Sequence, residues 1–201
     1  MNWLSKIFRQ SSSNQFKNSN RTGKSYSRGL ELFKLGRELF KESIDEKIHV
    51  EIRKQKLISS LEFFDKAIDQ GYVESEVYSF RGICLRDLNY DLDALDDFDT
   101  AISKDPERAS YYYDRALTKQ YIYDLQGSLV DFEEAIRLSK IDNSETRYWN
   151  KYAKETGYDS CTQKYEHDLQ LLMWDINRAK ESITMQNLIS NKKKTIQRRY
   201  Q

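Results

Sequence analysis

The feature that most constrains the fold of this chain is a spacing of 34 residues that recurs without interruption. Phe64, Phe98 and Phe132 follow one another at this interval. The same interval relates three alanines and the three small residues that stand four positions before each phenylalanine: Ala67, Ala101, Ala135, Ser60, Ala94 and Ser128. Gly82 and Ala116 precede the last two of these small residues by twelve positions. A fixed period of this length predicts a repeat architecture.

The alternation of large and small residues within one copy is typical of two antiparallel helices in close contact. Gly82 on a first helix and Ala94 on a second would let the two backbones approach. Phe98 would then fill the space beside them. The chain's single proline, Pro106, favours an end of the second helix just before it. Each hairpin leaves an apolar face open, so we expect the copies to stack on one another.

The stretch from Ser75 to Glu107 resembles a repeat of the tetratricopeptide family. It carries the family's pattern residues at their places: Tyr78, Gly82, Ala94, Phe98, Ala101 and Pro106. The resemblance implies an all-α fold, a right-handed α-solenoid of three tetratricopeptide-like helix-turn-helix repeats with C-terminal capping helices. It also implies a non-catalytic scaffold or adaptor that binds a partner peptide or protein segment in the concave groove of the repeats.

The sequence divides into four segments. They are a basic Ser/Asn-rich mobile arm (1–25), three repeats (26–142), capping helices (143–185) and a basic tail (186–201). The first repeat holds a twelve-residue insertion, roughly Glu42 to Arg53. Within it, Ile44, Ile48 and Ile52 are spaced four residues apart, which favours helices lengthened by whole turns over an irregular loop.

Charge is segregated along the chain, although 33 Lys and Arg nearly balance 32 Asp and Glu. Residues 1–28 and 186–201 contain basic residues and no acidic one, so the segment between them has a net charge of −10. The two cysteines, Cys84 and Cys161, cannot form a disulfide framework, and no apolar run reaches the ~18 residues of a membrane span. We therefore expect a cytoplasmic protein without a transmembrane segment.

No residue pattern in the chain indicates catalysis, a cofactor or a metal. His49 and His167 are the only histidines, and neither has a second ligand at metal-binding spacing. The acidic run from Asp87 to Asp99 lacks the spacing and central glycine of a calcium loop, so a solvated or helix-dipole role is expected for it. Cys84 is interpreted as a small buried residue. We expect no enzymatic activity.

The resemblance places nine residues in the peptide-binding groove: Phe33, Arg37, Phe40, Ser79, Ile83, Arg86, Tyr113, Leu117 and Tyr121. Several of these, especially Phe33, Ile83 and Leu117, have an alternative role in packing against the neighbouring helix. The lysines and asparagines with which some family members clamp a terminal carboxylate are absent. Arg37 and Arg86 are the permanent cations in the set, and they suggest a ligand that mixes apolar and acidic residues.

The two basic ends support other hypotheses. Trp3, Leu4, Ile7 and Phe8 lie on one side of a possible helix near Lys6, which suggests an alternative function as an adaptor tethered peripherally to a membrane. The basic residues of the tail suggest contact with nucleic acid, but the acidic body would repel phosphate, which argues against this partner. The identity of a protein partner does not follow from the sequence.

Overall fold

A computed structural model of the chain describes residues 23–44, 48–141 and 144–199. Within these ranges the chain forms eight α-helices and no strand. The helices are α1 (Gly23–Ser43), α2 (Val50–Asp69), α3 (Ser75–Asp87), α4 (Asp91–Lys104), α5 (Ala109–Tyr121), α6 (Leu125–Ser139), α7 (Ser144–Glu155) and α8 (Cys161–Arg199). The expectation of an all-α repeat solenoid is confirmed.

Consecutive helices pair as α1 with α2, α3 with α4 and α5 with α6, and these hairpins stack in order. We call α1, α3 and α5 the first helices and α2, α4 and α6 the second helices. The small residues stand where the pattern requires close approach. A Cβ atom at Gly82 would lie 3.0 Å from the Phe98 ring, and one at Gly36 would lie 2.7 Å from the Phe64 ring. The three repeat phenylalanines are fully buried.

Tight turns join the first and second helices of the later repeats. Asn89 and Tyr123 stand 34 residues apart in these turns, and both adopt a left-handed backbone, with φ of 64° and 61°. Asparagine is among the residues that tolerate this conformation best, whereas tyrosine does so at a cost. The turns set each second helix beside its own first helix. The first helices of successive repeats contact one another and so form one continuous row.

The insertion in the first repeat lengthens its second helix. By the repeat register, α2 would begin near Leu57, but it begins at Val50, seven residues or about two turns earlier. The side chain of His49 accepts a hydrogen bond from the backbone N–H of Glu51 and so caps this extended end. Residues 45–47 lie outside the described residues. The prediction of lengthened helices agrees with these bounds.

The helices α7 and α8 follow the third repeat and cover its open face. Tyr165 and Leu172 of α8 are buried, together with Ala135 and Phe132 of α6. The helix α8 continues to Arg199, so it crosses the boundary at residue 185 that the sequence suggested. None of the helices in the described residues is both long and apolar enough to cross a lipid bilayer.

Candidate functional site

The first helices contribute aromatic side chains to the contact between repeats one and two. Phe80 of α3 packs against Phe33 at 5.8 Å and against Phe40 at 5.5 Å between ring centroids. Phe33 is 2% exposed and also stacks on Tyr72. The expectation that Phe33 presents its ring to a ligand is therefore wrong, and its alternative role in packing between helices is correct.

The remaining groove residues of repeats one and two differ in accessibility. Ser79 is buried, so it is removed from the candidate surface. Phe40 and Ile83 are partly exposed while they pack against the core of the first two repeats. They form an apolar, partly open strip along α1 and α3 that can contact a ligand side chain.

Arg86 does not offer a free charge to a ligand. Its guanidinium donates a hydrogen bond of 3.0 Å to Asp114 in the next repeat and one of 3.2 Å to the neighbouring Asp87. Burial disfavours the charged form of Arg86, but the carboxylates of Asp114 and Asp87 outweigh it and raise the pKa of Arg86. The expectation that Arg86 binds an acidic ligand residue is wrong, because buried Asp114 already uses this guanidinium.

Arg37 differs from Arg86 in having an unsatisfied donor. Its Nε atom is buried and has no hydrogen-bond partner among the described residues. Its guanidinium carbon lies 5.9 Å from the centroid of the Phe33 ring, and the side chain is partly exposed. A buried guanidinium N–H without an acceptor is costly, and the partly exposed side of the same guanidinium can donate charge-assisted hydrogen bonds to a carboxylate.

Tyr113 and Leu117, the groove positions of repeat three, are contacted by α8. The Tyr113 ring stacks on Tyr165 with centroids 4.3 Å apart, and its hydroxyl donates to Asp168 at 2.6 Å. Lys164 donates to the same hydroxyl at 2.6 Å. Burial and the bond to Asp168 raise the pKa of Tyr113 well above its usual range. Tyr113 is thus part of the docking of α8.

Leu117 packs in the small apolar cluster that contains Leu172 of α8 and Phe132. Its alternative role, packing against a neighbouring helix, is the one the structure shows. Tyr121, at the end of α5, is 68% exposed. Of the two residues, only Tyr121 offers a large accessible surface.

The structure contains an ion-pair ladder that the sequence interpretation missed. Arg81 donates to both carboxylate oxygens of Asp97, at 2.7 and 2.6 Å, and to Asp65 of the preceding repeat at 2.8 Å. One repeat later the same three contacts recur among Arg115, Asp131 and Asp99.

Arg81, Asp97 and Asp65 each stand 34 residues before their counterparts in the next repeat. The repeat period could therefore have identified this ladder. Asp97 is 4% exposed, and the solvated role expected for the acidic run is wrong for this residue. Burial opposes the charge of Arg81, but the bonds and charges of its carboxylate partners raise the pKa of Arg81 above its usual range.

The cysteines and acidic residues form no site with evident chemistry in the described part of the chain. No group of three or more His, Cys, Asp or Glu residues there is arranged to hold a metal ion. Cys84 and Cys161 are both buried with free thiols. Burial raises the pKa of the Cys84 thiol, in keeping with its interpretation as a small core residue.

The residues of the membrane hypothesis, Trp3, Leu4, Ile7 and Phe8, lie outside the described residues. The solved structures similar to this chain give that hypothesis no support.

Solved structures similar to this chain are tetratricopeptide-repeat proteins. PcrH from Pseudomonas aeruginosa superposes with a TM-score of 0.57 at 12% identity, over 80% of this chain and 98% of that one. PcrH in complex with the chaperone binding region of PopD gives 0.56 at 13% identity, over 73% and 91%. The TPR domain of Sgt2 from Aspergillus fumigatus gives 0.54 at 13% identity, over 77% and 82%.

No family model matches the sequence. No curated protein matches it either. At these low identities the structural likeness establishes the fold alone: the chain is a TPR-like, all-α helical repeat protein.

Proposed function

We propose that this protein is a non-catalytic scaffold that binds a short segment of a partner protein along the row of first helices. The segment carries an acidic side chain that binds Arg37 and an apolar side chain that packs on Phe40 and Ile83. The complex of PcrH with the chaperone binding region of PopD supports the proposal as a precedent for the fold.

The observation that carries the proposal is the contrast between two guanidinium groups in the same row. Arg86 is bonded to Asp114 and Asp87, whereas the Nε of Arg37 is buried with no acceptor among the described residues. The Phe33 ring lies beside the Arg37 guanidinium, 5.9 Å from its carbon to the ring centroid. A carboxylate bound there would be held by charge in a site of reduced water access, where such bonds are strongest.

Affinity capture of partners from the native lysate tests this proposal. The wild-type chain is compared with Arg37→Met and with Lys54→Met, which removes an exposed charge from the second helix α2. We expect the wild type and Lys54→Met to capture the same proteins and Arg37→Met to lose them. Identical sets from all three folded proteins would contradict the proposal.

A further inference from the structure

A cleft of about 600 Å³ opens where the first helices of repeats one and two begin. It lies between the first turn of α1, the loop that joins α2 to α3, and the end of α4 with the loop that follows it. Tyr26 and Tyr72 both line it, and their ring centroids are 5.4 Å apart. Tyr26 is 39% exposed, so this aromatic pair is accessible from solvent.

The charged groups that line the cleft do not balance. Three are carboxylates and two are cations: Glu74, Glu76, Asp105, Lys104 and Arg108. Arg108 pairs with both Glu76 and Asp105, at 3.0 and 2.9 Å. The ammonium of Lys104 lies 5.5 Å from the ring centroid of Tyr78. The lining of the cleft is therefore one positive charge short of neutrality.

Two polar groups of the cleft lack the partners they could bind. The carboxylate of Glu74 accepts a hydrogen bond of 2.9 Å from the neutral Tyr26 hydroxyl, and no cation pairs with it in the described residues. Tyr72 is 5% exposed, and its hydroxyl makes no hydrogen bond within the described ranges. Burial and then the charge of Glu76 raise the pKa of Tyr72 to about 12, which indicates that this hydroxyl lies near the carboxylates. Arg37, whose charge acts on Tyr72 in the opposite direction, does not line the cleft.

A guanidinium or ammonium group fits this combination of side chains. Such cations bind against tyrosine rings. A carboxylate without a cation, like that of Glu74, adds a charge-assisted hydrogen bond, and a free tyrosine oxygen can accept another. An acidic ligand would instead meet three carboxylates. The occupant that the cleft favours is a basic side chain.

We propose that the cleft binds a basic side chain of the chain's own N-terminal segment, residues 1–22, and so holds this segment at the edge of the row of first helices. The segment contains four basic residues and no acidic one. It joins α1 at Gly23, three residues before Tyr26 of the cleft. This inference goes beyond the proposed function and does not depend on it.

Connectivity favours this occupant over a separate molecule. At about 3.3 Å per residue, Arg21 lies within about 17 Å of Tyr26 along the chain, and Lys17 lies within about 30 Å. Both side chains are therefore held near the cleft at an effective concentration on the order of millimolar. A contact that is weak in isolation is populated at such a concentration.

Trypsin cleavage of the full-length chain tests the inference, because a docked segment is cleaved only when it detaches. Cleavage after Lys17 and Arg21 is followed by mass spectrometry, and a free synthetic peptide of residues 10–27 gives the rate for an undocked segment. The test variant, Glu74→Gln, removes the charge and keeps the shape of the side chain. The matched control, Asp69→Asn, removes an exposed carboxylate that does not line the cleft. Circular dichroism melting shows that each variant is folded.

We expect cleavage at these two sites to be about fivefold slower in the wild type than in the peptide, and to rise towards the peptide rate in Glu74→Gln. Asp69→Asn should be cleaved like the wild type. Equal rates in the wild type and Glu74→Gln, or in the wild type and the peptide, overturn the inference. An equal loss of protection in both variants overturns it as well, because protection would then follow overall charge. Protection that fades on dilution would assign the cleft to the segment of a second copy and would also overturn the inference.

Discussion

Asp97 shows that a buried polar network recurs with the 34-residue period, as the apolar core does. Its carboxylate is 4% exposed and receives two hydrogen bonds from Arg81. Replacement of Asp97 by alanine would leave the Arg81 charge buried with only Asp65 to balance it. We expect a loss of ~3 to 5 kcal/mol in the free energy of unfolding, measured by urea denaturation.

Asp96 provides the matched control because it precedes Asp97 on the same helix but is exposed. Asp96→Ala should change stability by no more than ~0.5 kcal/mol. Equal effects of the two substitutions would show that the ladder does not contribute to folding.

The two groove arginines should respond oppositely to the same substitution. Arg86→Met would leave Asp114 buried without its guanidinium partner, so we expect the melting temperature to fall clearly. Arg37→Met removes a donor that has no acceptor among the described residues, so the melting temperature should stay the same or rise. Differential scanning calorimetry of the two variants checks this, and a large loss of stability in Arg37→Met would refute the assignment of Arg37 as unsatisfied.

At the scale of the elements, the attachment of α8 depends on the carboxylate of Asp168. Burial alone would raise the pKa of Asp168, but hydrogen bonds from Lys164 and Tyr113 outweigh it and lower that pKa below its usual range. A carboxylate with a lowered pKa stabilises the fold above its unfolded-state pKa, and this contribution disappears as pH falls through the folded-state value.

We therefore expect Asp168→Asn to have a lower free energy of unfolding than the wild type from pH 7 down to about pH 5. This gap in free energy should narrow as pH falls below about 4. Urea denaturation across this range measures the gap. Asp175→Asn, an exposed substitution on the same helix, should show no gap at any pH. A gap for Asp168→Asn that widens in acid would contradict the assigned direction of the pKa.

The elements themselves were largely predictable because they depend on local spacing. The small residues at Gly82 and Ala94 fix the hairpin contact, and the spacing of Ile44, Ile48 and Ile52 indicates a lengthened helix. The groove was less predictable, because the exposure of its side chains depends on how one repeat packs against the next. Neither the pairing of Arg86 with a residue of the next repeat nor the covering of Tyr113 by α8 follows from one repeat's pattern.

At the scale of the whole molecule, the solenoid depends on the first part of α8 far more than on its end. Between residues 161 and 186, where the structure describes the side chains of α8, the last buried one is Leu172, with Ile176 partly buried. A chain that ends at Met185 should therefore melt like the wild type. A chain that ends at Ser160 exposes Phe132 and Leu117, and it should lose cooperative melting by circular dichroism. Equal melting of the two truncated chains would contradict a capping role for α8.

The central claim is that a partner lies along the row of first helices, and site-specific photo-crosslinking tests it most directly. Benzoylphenylalanine is placed at Phe40, which is partly exposed in the groove, or at Val130, which is 55% exposed on the second helix α6. Both full-length chains are irradiated in native lysate, and adducts are identified by mass spectrometry. The account predicts partner adducts at position 40 that disappear with Arg37→Met, and none at position 130. Adducts at position 130 with none at position 40, from chains that melt normally, would contradict it.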